Sequence, residues 1–290
     1  MNKNEMLLKP KIDVVFHALF RRKNNAILEA MLSDILSTKV KIIENLDRHL
    51  DIRTANEKLG VMDLRVRFED GTYCNIEIQL KEHQYENERF LYYLSDTYSR
   101  QLERGEKYEE ISKTISIAIV DHEIEALKGI EDINVRWQMR DNATGSKILT
   151  DRFELAIIEL PKAKRIYKAN ENNTICQWMM FLDNPNSKEV AKIMDKNESI
   201  KNANDELKQV SGDYELRRIA ELREKYIRDE QAALDFAIEK GLKQGIERGM
   251  KQGIEQEKIQ TAKNMLELDI EIEKIEKVTG LSCEDIIKLK

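Results

Sequence analysis

Asp63, Glu77, Gln79 and Lys81 are the residues whose types and spacing first offer chemistry. Between Val61 and Lys81 the chain reads VMDLRVRFEDGTYCNIEIQLK. Met62, Leu64, Val66 and Phe68 alternate with Asp63, Arg65 and Arg67, and Ile76, Ile78 and Leu80 alternate with Asn75, Glu77 and Gln79. Each run predicts a strand with one apolar and one polar face. Glu69, Asp70 and Gly71 between them are a hairpin signal. Both apolar faces sit on even-numbered positions and cross-strand partners share a face, so the numbers of paired residues must sum to an even value. A two-residue loop fails that condition. A three-residue loop with Gly71 left-handed meets it, pairs Phe68 with Thr72 and sets Asp63 across from Glu77. Their Cβ atoms would then lie roughly 4.5–5.5 Å apart, with Gln79 a diagonal step away and Lys81 next along that face if the strand persists.

Two carboxylates held opposite each other repel, more so when buried, and something must offset the cost. A hard divalent cation such as Mg²⁺ takes carboxylate oxygens, a backbone carbonyl and waters, which Asp63, Glu77 and the carbonyl of Ile78 between the acidic and amide positions can supply. The competing expectation is a surface hairpin in which Arg65 and Lys81 neutralise the acids.

The flanking elements must position this hairpin. Ile12, Val15, Phe16, Leu19 and Phe20 form the apolar stripe of one helix, and Ile27, Leu28, Met31, Leu32, Ile35 and Leu36 that of a second, with the polar run Arg21 to Asn24 between them. Val40 to Ile43 predicts a short strand. Phe90, Leu91, Leu94, Tyr98 and Leu102 predict a helix after the hairpin, ending near Gly105. TISIAIV (Thr114 to Val120) and FELAIIEL (Phe153 to Leu160) are continuous apolar, β-rich runs of the kind found in central strands. Alternating helix, hairpin, helix, strand and strand implies an α/β core with a mixed sheet.

Composition agrees with that reading and narrows the function classes. The chain has 290 residues, 35% charged and 6% aromatic, with only 3 prolines, a helix-favouring balance sufficient for one main core and an appendage. A net charge of -6 argues against a generally basic nucleic-acid coat protein while leaving room for a local basic cleft. Cys74, Cys176 and Cys283 lie far apart and form no C-x-x-C pair, so neither a disulfide framework nor a cysteine zinc site is expected. His17, His49, His83 and His122 show no ligand spacing, and His122 beside Asp121 suggests a loop pair. No apolar leader or membrane-length run is visible, so a cytoplasmic protein is expected.

The tail differs in kind. From Ala237 to Gln256 it repeats the tetrads AIEK, GLKQ, GIER, GMKQ and GIEQ. Glycine at every fourth position makes a poor isolated helix, which a closely packed partner offsets, and a period of four drifts in the right-handed sense. A frayed linker helix and a homo-oligomer, most simply a dimer, are the two expectations. Three short helices follow, with Ser282 and Asp285 as a capping box. They resemble a helix-turn-helix, but from Ile259 to Lys290 there are 5 Lys against 7 Asp or Glu and no arginine, which favours a protein-interaction or regulatory role over DNA reading.

The order of Asp63, a hairpin and then Glu77-x-Gln79 resembles the PD-(D/E)XK nuclease superfamily, and more closely the Rpn family of recombination-promoting nucleases. Supporting signatures are DVVFHALF (Asp13 to Phe20), KLGVMD (Lys58 to Asp63), NIEIQ (Asn75 to Gln79), RFLYYLSDTYSRQLERGEKY (Arg89 to Tyr108) and ELPK (Glu159 to Lys162). The resemblance implies a restriction-endonuclease-like sheet flanked by helices. With that nuclease-like core over 1–165, the patterns above place a helical extension over 166–235, the glycine-repeat helix or linker over 236–258 and the three-helix module over 259–290. The implied activity is hydrolysis of DNA phosphodiesters by a metal-activated water, in a recombination, mobile-element or phage-defence setting. Mg²⁺ is the implied ion, with Mn²⁺ or Ca²⁺ as alternatives, and no organic cofactor. Asp63, Glu77 and the Ile78 carbonyl would hold the metal, while Gln79 stands where the superfamily usually has lysine, with Lys81 a possible stand-in. Arg65, Arg67, Arg89 and Arg100 are the implied DNA contacts, an Asp96 to Arg100 surface pair being the plainer reading of the last. Because glutamine is no base, the alternative is a weak or inactive nuclease-fold protein that binds DNA or a partner and oligomerises through its tail.

Overall fold

A computed structural model describes residues 6–21, 25–46 and 64–289. The chain divides into two compact units, 1–224 and 225–290.

The first unit is built on one six-stranded mixed sheet with the order β1-β2-β3-β4-β6-β5. Its strands are β1 (Ile42–Asn45), β2 (Leu64–Phe68), β3 (Tyr73–Gln79), β4 (Thr114–Val120), β5 (Asn134–Gln138) and β6 (Phe153–Glu159). β1, β2 and β3 are antiparallel, β3, β4 and β6 run parallel, and β5 closes the edge antiparallel to β6. This is the mixed α/β sheet flanked by helices that the sequence implies.

The hairpin has the expected register. Leu64 faces Ile76, Arg65 faces Asn75, Val66 faces Cys74 and Arg67 faces Tyr73. Phe68 N donates to Thr72 O at 2.9 Å, and Gly71 takes φ +88°, the left-handed conformation that a side chain resists. Asp70 Oδ1 accepts from Thr72 N at 2.9 Å and fixes the loop further. The Asp63 end of the expected pairing lies outside the described residues.

One sheet face carries the large core. Helices α1 (Asp13–Phe20) and α2 (Ala26–Leu36) lie there with α4 (Leu160–Ala169), α5 (Thr174–Asp183), α6 (Lys188–Met194) and α7 (Glu198–Gly212). Phe16, Phe20, Leu32, Trp178 and Phe181 pack with Cys74, Ile76, Ile117 and Ile158 of the strands. Trp178 is fully buried, and its Nε1 donates to Asp34 Oδ2 at 2.7 Å, so the ring joins the core without orphaning its polar atom. The other face is covered by α3 (Glu86–Ser99), whose Phe90 and Leu94 meet Ala118, Val120, Leu155 and Ile157.

Four differences from expectation bear on the site. The polar face of β3 is buried rather than open, with α3 reaching over it through Arg89: Asn75, Glu77 and Gln79 are all inaccessible or nearly so. β3 ends at Gln79, which leaves Lys81 beyond the strand instead of on its face. α3 ends at Ser99, not near Gly105: Gln101 instead bonds Ser112 N at 2.8 Å and Thr114 Oγ1 at 2.6 Å, turning the chain toward β4. β5 has no counterpart in the sequence reading, because an edge strand exposed as NVRWQ is lacks the alternation that marks the others.

The second unit has a small core of Ala262, Ile275, Leu281 and Ile286, formed by the end of α8 (Tyr214–Glu267) with α9 (Ile272–Thr279) and α10 (Cys283–Lys288). Ser282 Oγ accepts from Asp285 N at 3.2 Å, the expected cap of α10. The glycine tetrads lie within α8 as continuous helix.

Candidate active site

The α3-facing side of the sheet is divided. Over β4 and β6 the apolar residues Ala118, Val120, Leu155 and Ile157 are covered by Phe90 and Leu94; over β2 and β3 it presents Arg65, Arg67, Asn75, Glu77 and Gln79. Alternation alone produces this, because odd-numbered residues of β2 and β3 share that face.

Glu77 sits at its centre with a side chain only 6% exposed, and Arg89 Nη2, reaching across from α3, donates to its Oε1 at 3.1 Å. Burial pushes the Glu77 carboxyl above its ordinary range, and Arg89 offsets only part of that. The Arg89 guanidinium also lies over the Tyr93 ring, 5.4 Å from its centroid. Gln79 shares the face two residues on. Its Nε2 donates to Lys81 O at 3.0 Å, and since a carbonyl only accepts, the amide orientation is set and Oε1 is the end left over. That oxygen is buried without a partner among the described residues. Gln79 O accepts from Asp121 N on the β4 side at 2.9 Å, so the preceding carbonyl, that of Ile78, points to the β2 side.

Among the described residues, five of the eight buried side-chain polar atoms lacking a partner lie on this divided face: Arg67 Nε, Asn75 Nδ2, Asn75 Oδ1, Gln79 Oε1 and Arg89 Nε. Native interiors pair such atoms with protein, water or ligand, so their concentration here marks a place built for a further polar occupant. A hard cation fits the donor set: a carboxylate, a backbone carbonyl on the correct side and a free amide oxygen are all oxygen ligands. Among the described residues no group of three or more His, Cys, Asp or Glu side chains could hold a metal, and Asp63, the expected second carboxylate, lies outside them.

The remaining expected residues are placed as follows. Arg67 lies over the ring of Tyr73, its cross-strand partner, at 5.3 Å, and Arg65 is half-buried opposite Asn75. Arg100 is exposed and bonded to Asp96 at 2.6 Å. Lys81 is pushed below its ordinary value by burial and by the nearby Arg223 guanidinium. His122 Nε2 contacts Glu86 Oε2 at 2.6 Å rather than pairing with Asp121, which binds Lys11 at 2.6 Å.

Arg223 was not singled out by sequence reasoning. It holds Asp13, at the start of α1, through contacts of 2.6 to 3.1 Å. The two residues are 210 positions apart, and no local pattern links them. Glu159 and Lys162 of the ELPK signature form a buried ion pair; Glu159 also accepts from Ile124 N at 2.6 Å and Lys162 donates to Ile130 O at 2.8 Å. The signature thus fastens the segment following β4 and carries no free chemical group.

Among the described residues no helix is long and apolar enough to cross a membrane. Neither the curated proteins nor the solved structures contain a significant match to this chain. One family model, described as PD-(D/E)XK nuclease family transposase, matches residues 10–237, which include the whole sheet and every residue of the divided face. The chain belongs to the PD-(D/E)XK nuclease family transposases.

Proposed function

We propose that the chain is a Mg²⁺-dependent DNA endonuclease of the cytoplasm, serving recombination, mobile-element or defence processes. The observation that carries this reading is Glu77: a buried carboxylate with one side-chain cation partner, beside a buried, unpartnered Gln79 oxygen. Asp63, Glu77 and the Ile78 carbonyl are the proposed metal ligands, with Mn²⁺ or Ca²⁺ as alternative ions. A bound divalent cation would supply water of lowered pKa and offset charge developing on the phosphate. The protein's own residues do the rest. Gln79 Oε1 accepts a hydrogen bond from the attacking water and orients it, while Lys81, beyond the strand, adds positive charge near the same end of β3. Arg65 and Arg67 bind flanking phosphates, Arg89 binds one closer to Glu77, and Arg100, just past the end of α3, extends the track.

Plasmid incubated with wild type in Mg²⁺ is expected to be nicked, and Asp63→Ala, Glu77→Ala or EDTA to stop it. Nicking that persists in both variants, or in EDTA, overturns the assignment.

A second reading, a nuclease fold that binds without cutting, is favoured by the Arg89 occupation of Glu77 and by the amide at position 79. In either reading the tail assembles the protein with a second copy. Leu242, Ile246, Met250 and Ile254 are each at least 53% exposed, and a Cβ added at Gly241, Gly245, Gly249 or Gly253 would meet nothing within 4 Å. A partner must follow the same four-residue drift to cover this stripe, which another copy does by construction. Sedimentation of wild type as a dimer, and of Ile246→Lys/Met250→Lys as a monomer, is expected; a monomeric wild type contradicts the assembly.

A further inference from the structure

Arg89 has two contacts that matter together. Its Nη2 bonds Glu77 Oε1 at 3.1 Å, and its guanidinium lies over the Tyr93 ring at 5.4 Å. Its Nε is buried and has no partner among the described residues, so its hydrogen-bonding capacity is only partly used. The Arg89 side chain is 31% exposed against 6% for Glu77, which makes it the accessible member of the pair. A guanidinium and a divalent cation drawn to one buried carboxylate repel each other strongly where the dielectric is low. That repulsion favours the departure of Arg89 when a metal binds Glu77. A planar, doubly bonding guanidinium anchored on an aromatic ring has a natural second partner, the oxygens of a phosphodiester.

We propose that Arg89 is an exchange cation: it neutralises Glu77 in the metal-free protein and passes to a backbone phosphate of the nucleic acid when metal enters. The inference rests on the reading of Glu77 as a metal ligand. Metal releases Arg89 for phosphate, and phosphate draws Arg89 off Glu77, so the two ligands bind with positive coupling. Linkage requires that coupling to be reciprocal. The site stays closed by charge until both are present, which limits metal binding in the absence of DNA.

The test uses the full chain, Ca²⁺ as the metal and a phosphorothioate DNA duplex as the phosphate source. Ca²⁺ affinity is measured calorimetrically with and without duplex, and duplex affinity by fluorescence anisotropy with and without Ca²⁺. In wild type, each ligand is expected to tighten the other by roughly tenfold, a coupling of typical size. In Arg89→Gln, Ca²⁺ alone binds several-fold tighter and the coupling falls below about twofold, while Arg89→Lys, which keeps charge without the planar fork, lies between. Arg104→Gln removes an exposed arginine beyond the same helix and leaves the coupling at the wild-type level. Wild type that binds Ca²⁺ without coupling overturns the exchange, whether or not the variants fold. So does Arg89→Gln with weakened Ca²⁺ binding or intact coupling, and so does equal loss in Arg104→Gln, which would assign the effect to long-range charge. Wild type that binds no Ca²⁺ with or without duplex removes the metal reading of Glu77 and the exchange together, an outcome distinct from binding without coupling.

Discussion

Glu77 and Glu159 stand at the same end of one sheet, on the same face, and are both buried, yet they are treated in opposite ways. Glu159 is enclosed by partners: the Lys162 ammonium, itself bonded to a backbone carbonyl, and the backbone N–H of Ile124. Glu77 has one arginine, borrowed from a helix twelve residues on, and beside it the oxygen of Gln79 lacks a partner. A carboxylate that only fastens structure is fully satisfied by its surroundings. One left under-neutralised, with burial raising its pKa, is where an arriving cation would relieve the cost.

The largest expected effect separates the two acids. Glu77→Gln should lower cleavage by on the order of 10³-fold, about 4 kcal/mol of transition-state stabilisation, while the protein melts no lower than wild type. Nicking assays beside thermal melts check this; a Glu77→Gln protein that nicks normally breaks the contrast. Glu159→Gln should do the reverse, costing about 3 kcal/mol of stability by stranding the Lys162 ammonium, with activity per folded molecule retained. A Glu159→Gln protein of unchanged melting temperature would show that the ELPK pair does not hold the fold.

Gln79→Leu removes the free oxygen without changing charge. A loss of roughly 10- to 100-fold in nicking, with melting preserved, is the result expected for a group that orients another ligand or water. No change would take Gln79 out of the site.

The smallest effect is on stability against pH. The folded state holds the Glu77 proton to higher pH than the unfolded chain, so the native form binds more protons there, and metal-free stability falls as pH rises from 4.5 through the raised value. Glu77→Gln should lose that slope. His17 acts on the acid side: burial, then the Arg21 charge, lower it from 6.5 to about 4, so its contribution is lost as pH falls across that interval. Denaturant melts of wild type and Glu77→Gln compared from pH 4.5 upward isolate the Glu77 slope, since His17 contributes equally to both, and parallel curves would contradict it.

What sequence could supply follows from the range of each signal. Strict alternation over β2 and β3, with a glycine at the left-handed loop position, determined the hairpin register residue by residue, since a one-residue slip would turn every apolar side chain outward. The two apolar runs became β4 and β6 because only a strand flanked on both sides needs no polar face. The burial of Asn75, Glu77 and Gln79 was not legible, because polar residue types in alternation look like a solvated face whether or not a helix covers them. Nor was the Glu77 to Arg89 contact, which depends on the path of the chain between Gln79 and α3, or the Asp13 to Arg223 contact, which joins distant segments. Lys81 was misplaced for a related reason: the apolar Leu80 extends the alternating pattern one step past the point where the ladder with β4 stops.

Calorimetric titration of Mn²⁺ into wild type, Glu77→Gln and Glu159→Gln in the presence of the phosphorothioate duplex decides whether Glu77, unlike Glu159, is held for a divalent cation. Saturable binding is expected in wild type and in folded Glu159→Gln, weakened at least tenfold in Glu77→Gln. Equal Mn²⁺ affinity in all three proteins would contradict it.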